Sequence, residues 1–107
     1  MLESPSPHRD IEVMLKAYRI LVNNRVTVKT PQGTTHTFTT PSLTDGAGNS
    51  HLDYGGKQWL WDSAAHIMNL AHTEPEVAKL EFRALLAHQT LDAENPAHGF
   101  VPHMNYF

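Results

Sequence analysis

The stretch Ser63-Ala64-Ala65-His66-Ile67-Met68-Asn69-Leu70-Ala71 constrains this chain most. At 3.6 residues per turn, Ala64, Ala65, Ile67, Met68, Leu70 and Ala71 cover nearly the whole circumference of a helix. Only Ser63, His66 and Asn69 interrupt them. A helix that is apolar nearly all round requires burial on every side. The chain has 107 residues, enough for at most one small domain with a modest core. There is too little other material to surround such a helix. The sequence therefore reads as part of something larger, or as a chain that packs against a partner.

The flanking segments carry weaker patterns. Residues 1–8 are rich in Pro and Ser and are expected to be disordered, leaving 9–107 as the domain. From Asp10 to Asn23, Ile11, Met14, Leu15, Tyr18, Leu21 and Val22 form the stripe of an amphipathic helix, which Asn23-Asn24 can end. Residues 25–44 are Thr-rich and β-branched around a Pro31-Gln32-Gly33 turn. They read either as a short hairpin or as an extended loop, since two strands alone are marginally stable. Residues 41–57 have no periodicity and read as a long loop.

Thr73-Glu74-Pro75-Glu76 reads as a helix start, with Thr73 as cap, Glu76 completing a capping box and Pro75 in the first turn. The expected helix runs to about Gln89, with Val77, Ala78, Phe82, Leu85 and Leu86 inward and Glu76, Lys79, Glu81 and Arg83 mostly outward. It forms an αα-hairpin with the helix before it. Residues 92–98 are a polar loop, and Gly99 to Phe107 is apolar and aromatic. Tyr106 and Phe107 call for burial, and the chain reads as cut off after them.

Composition removes several function classes. The net charge is −3 with no Lys/Arg cluster, which argues against nucleic acid. No run of about 18 apolar residues suggests a membrane span. The N-terminus lacks the basic start and apolar run of a secretory signal. There are no cysteines, which excludes disulfides and thiolate metal sites and fits a cytoplasmic protein. Eight histidines are many for this length, but none shows a recognised ligand spacing. His66 and His72 would lie about 120° apart on one helix. No metal and no cofactor is expected. The histidines read as polar groups in a cleft or as satisfied core residues.

The chemistry-bearing motif is Gln58-Trp59-Leu60-Trp61-Asp62-Ser63. An indole face stacks on the apolar face of a sugar ring, and a neighbouring carboxylate accepts charge-assisted hydrogen bonds from adjacent hydroxyls. The pattern fits a carbohydrate subsite. The plainer alternative makes both tryptophans core residues and Asp62 a helix N-cap.

Four blocks in order carry a family likeness: 58–66, then 70–79, then Leu85-Leu86-Ala87-His88-Gln89, then Gly99-Phe100-Val101-Pro102-His103-Met104. Together they resemble the N-terminal part of the catalytic domain of glycoside hydrolase family 63-like α-glycosidases. That group includes processing α-glucosidases and mannosylglycerate hydrolases, with trehalases and amylo-α-1,6-glucosidases as distant relatives. The likeness covers residues 58–107 well and 9–57 loosely. It implies an all-α fold, an incomplete α/α toroid made of the first hairpins of a six-hairpin barrel.

The likeness also implies inverting hydrolysis of an α-glycosidic bond by an acid and a base roughly 6.5–9.5 Å apart. Both carboxylates fall beyond Phe107 in the family pattern. No catalytic role therefore goes to Asp53, Asp62, Asp92 or Glu94. Asp62 matches a sugar-gripping residue of the −1 subsite, with Trp59 and Trp61 as its aromatic walls. Tyr54 and Gln58 lie in the approach, and His103 and Asn105 are placed in the same cleft.

Three readings follow. The first is an α-glycoside hydrolase fragment, inactive alone, partnered by the rest of its enzyme and an α-linked glucoside, mannoside or oligosaccharide. The second is a homo-oligomeric carbohydrate-binding protein. The third is a helical interaction module indifferent to sugars.

Overall fold

The computed structural model describes residues 7–41 and 57–107. Helix α1 spans Pro7–Asn23, followed by strands β1 (Arg25–Lys29) and β2 (Thr35–Thr39). Strand β3 (Gln58–Trp59) leads into helix α2 (Leu60–Thr73), then helix α3 (Pro75–Leu85) and strand β4 (Met104–Asn105). Of the segment 1–8, residues 1–6 lie outside the description, while Pro7 and His8 belong to α1.

Residues 25–39 form a hairpin, paired from Arg25↔Thr39 to Lys29↔Thr35. Its turn holds Pro31, Gln32 and Gly33 between Thr30 and Thr34, with Thr30 N donating to Thr34 O at 2.8 Å. Gly33 sits at φ 87°, where a residue without Cβ meets no strain. The sheet survives because it is not alone: β2 lies on α3, and Phe38, Thr39 and Thr40 are buried there.

The expectation of an all-α, partial-toroid fold is overturned. The described residues form three helices and two separate two-stranded antiparallel sheets, β1–β2 and β3–β4. A strand, not a further helix, covers the inner face of α3. The alternation of the Thr-rich segment decides this, placing Phe38 in the core opposite a threonine face that is half water-facing.

Helices α2 and α3 do form a hairpin, joined by Glu74 alone. Glu74 N closes α2 on Leu70 O at 2.7 Å, and Glu74 O accepts from Ala78 N at 3.0 Å to open α3. This removes the expected Thr73 capping box. Thr73 is still helical in α2, Glu74 is the N-cap position, and no side chain caps it. Pro75 sits at the first helical position, where its missing N–H costs nothing.

The phase of α3 also differs from expectation. The helix ends at Leu85 and buries Ala78, Glu81, Ala84 and Leu85, while Phe82 is 51% exposed. Hydrogen bonding to the Glu81 carboxylate outweighs burial of Phe82. The apolar core is small: Phe38, Leu70, Ala78, Ala84 and Leu85. In α2 only Ser63 and Leu70 are buried, and Met68 is 72% exposed. Helix α1 buries no residue at all. Phe107 is half-buried, stacked on His36 at 4.4 Å and His88 at 5.1 Å, whereas Tyr106 faces outward.

Candidate functional site

Two polar residues hold the start of α2 in place. The β3–β4 pair sets Gln58 opposite Asn105 and Trp59 opposite Met104. Leu60 N donates to His103 O at 2.9 Å, so the chain enters α2 against the 103–105 segment. Asn105 Nδ2 donates to Gln58 Oε1 at 3.1 Å and to Ala84 O at 3.0 Å. Gln58 Nε2 in turn donates to Ser63 Oγ at 3.1 Å and to Glu81 O at 2.9 Å. Gln58 is fully buried and Asn105 almost so. Both were expected in a sugar cleft. The Gln58 amide and the Asn105 Nδ2 are instead occupied in tying β3, β4, α2 and α3 together, while the buried Asn105 Oδ1 makes no hydrogen bond among the described residues, and neither side chain is open to solvent.

The remaining candidates lie at this corner. Trp59 is half-buried and packs edge-on against His103, with ring centroids 5.7 Å apart. Trp61 is 82% exposed in the first turn of α2. Asp62 follows it, half-buried, where its charge complements the positive end of the helix dipole. It is not the N-cap: Trp59 holds that position. Neighbours on a helix project about 100° apart, so Trp61 points straight away from the Ser63–Leu70 core face while Asp62 points along its flank. The two therefore meet one ligand only if it wraps the helix edge. Tyr54 lies outside the described residues.

Sequence reasoning missed a second polar cluster, centred on the fully buried Glu81. Its carboxylate accepts from Thr39 Oγ1 at 2.8 Å and Ser63 Oγ at 2.9 Å, with His66 Nδ1 at 3.2 Å. Three donors from β2 and α2 make burial of the charge tolerable. Ser63 and Glu81 are both fully buried, so neither group is open to a substrate. The available signal was the i, i+3 pair Ser63/His66, which places both side chains on one face of α2.

A third cluster sits at the α2–α3 joint. The Arg25 guanidinium meets both oxygens of Glu74, at 2.5 and 3.4 Å, and Tyr18 Oη donates to Glu74 Oε2 at 2.6 Å. Arg25 and then Tyr18 hold the Glu74 carboxyl below its ordinary value. The same bond raises Tyr18 above the usual phenol value, because ionisation would forfeit a donor facing a carboxylate. Among the described residues no three His, Asp or Glu side chains gather to hold a metal ion, and no helix is long and apolar enough to cross a membrane.

Comparison with known proteins finds no matching family model, no matching curated protein and no matching solved structure.

Proposed function

We propose that the chain is carbohydrate-active and that Trp61, Asp62, Trp59 and His103 form its sugar-contacting edge. The observation that carries this reading is Trp61: an indole 82% exposed, next to a carboxylate, on a helix start pinned by buried amides. The fold makes no use of that aromatic plane. Stacking on a sugar ring does. Following the resemblance, the edge supplies part of the −1 subsite of an inverting α-glycoside hydrolase whose acid and base are not residues of this chain. The chain alone then binds sugar without cleaving it. Its compartment in this reading is the cytoplasm, consistent with the absence of cysteine.

Titration with methyl α-glucoside, methyl α-mannoside and maltose, followed by tryptophan emission, tests the proposal. Binding should perturb the emission saturably. Trp61→Ala should abolish the response, and Asp62→Asn should weaken it about tenfold, the loss of one charge-assisted bond. Trp61→Ala should leave the melting temperature unchanged, because its side chain lies outside the core, and Asp62→Asn should lower it only slightly, by the loss of a helix-dipole contact of about 0.3–1 kcal/mol. An emission spectrum indifferent to all three sugars would remove the carbohydrate reading.

A further inference from the structure

Helix α1 is 17 residues long, buries none of its side chains, and carries Ile11, Met14, Leu15 and Val22 at 55%, 69%, 53% and 39% exposure. Most helical stability in proteins comes from packing of an amphipathic face rather than from propensity. Its apolar side borders an open groove of about 680 Å³, shared with Asn69, His72 and Thr73 at the end of α2.

The order of residues along α1 says what fits there. Ile11, Leu15, Tyr18 and Val22 recur at steps of four, three and four, the seam of a two-helix coiled coil. One edge of that seam carries Glu12 and Arg19, seven residues apart and hence on the same ridge. The other edge carries Met14 and Leu21. Neither Glu12 nor Arg19 has an ion-pair partner among the described residues. In a parallel pair, opposite edges face each other, which would set Glu12 and Arg19 against Met14 and Leu21. In an antiparallel pair each edge faces its own copy. Glu12 then meets Arg19 of the second helix twice over, and Met14 meets Leu21.

We propose that α1 docks antiparallel on α1 of a second copy of this chain, in the register that sets Glu12 against Arg19. A two-fold pairing of identical helices is isologous, and a ridge with opposite charges at its two ends is self-complementary in that arrangement. The helix end near the groove and the Trp61 corner are separated by eleven residues of α2, about 16 Å. Dimerisation and sugar contact are therefore independent.

Sedimentation equilibrium at low salt over a range of concentrations tests this. The chain should dimerise reversibly. Glu12→Arg and Arg19→Glu should each weaken association at least about tenfold, since every dimer contains two such contacts. The double variant Glu12→Arg/Arg19→Glu should restore it. All three changes are at exposed positions, and circular dichroism checks that the fold is kept. A chain monomeric at every concentration overturns the proposal. So does a dimer indifferent to the single reversals, or one that the double reversal fails to rescue. Trp61→Ala should leave association unchanged, so failure here and failure of sugar binding are read separately.

Discussion

Thr39 Oγ1 donates to Glu81 Oε2 at 2.8 Å across 42 residues, and both groups are shut off from water. The contact fastens the hairpin to α3 and converts a marginal two-stranded sheet into part of the core. Ser63 and His66 bring α2 to the same carboxylate. A single charge thus organises three elements.

Removing that charge without replacing its acceptors should be costly. Glu81→Ala leaves two buried donors, Thr39 and Ser63, and the half-buried His66 unpaired and should lower stability by about 3 kcal/mol or more. Glu81→Gln keeps one acceptor and the volume, and should cost about 1–2 kcal/mol. Thr39→Val should cost about 1.5–3 kcal/mol, the worth of a hydrogen bond to a charged group. Urea unfolding midpoints give these values. A Glu81→Ala variant as stable as the parent would mean that the cluster does not support the fold.

The Glu74 joint should make the protein acid-sensitive. Its folded-state pKa lies below the ordinary value of 4.5, owing first to Arg25 and then to Tyr18. The unfolded chain therefore binds the proton first as pH falls. The stability Glu74 provides is complete above about pH 4.5 and is lost as pH drops through the lower folded value. In thermal melts, Glu74→Gln should melt below the parent at neutral pH, with the gap closing under acid. Tyr18 works at the other extreme: its raised pKa means that its contribution is full below about pH 10 and lost above it. A gap that stayed constant with pH would contradict the ion-pair account.

His36 adds a second pH dependence near neutrality. Burial against Phe107, and secondarily the charge of His88, push its pKa below the ordinary 6.5. The unfolded state again takes the proton first, so stability is fully present above about pH 6.5 and falls as pH drops below it. His36→Phe keeps an aromatic ring on Phe107 and removes the titration. The parent should lose more melting temperature than His36→Phe between about pH 7.5 and pH 5.5. Parallel curves would show that His36 is not the group responsible.

The hairpin turn makes a backbone prediction. Gly33 lies at φ 87° with nothing within 4 Å of where a Cβ would stand. Gly33→Ala should cost about 1–2 kcal/mol from the left-handed backbone alone, with no steric clash. Gly33→Asn, which tolerates that region better, should cost less. Differential scanning calorimetry of the two variants separates strain from packing.

Local signals in the sequence were enough to find the helices. The 10–23 stripe is α1, extended by one turn to Pro7; the apolar run after Trp61 is α2; Pro75 marks the start of α3. These are properties of neighbouring residues, fixed by period and capping chemistry. The expectation that α2 is buried on every side is not met within this chain: only Ser63 and Leu70 are buried in it, and Met68 is 72% exposed.

Only tertiary structure decided which side of α3 faces in. By period alone Phe82 belongs inside and Glu81 outside. The order reverses because Thr39, Ser63 and His66, remote in the chain, converge as donors on one carboxylate. Likewise Gln58 and Asn105 look like ligand groups in sequence and become internal ties once β3 pairs with β4. Whether a polar side chain serves a ligand or the fold depends on which partners reach it. Thr39 lies 42 residues from Glu81 and Asn105 lies 47 from Gln58, beyond anything a local pattern encodes.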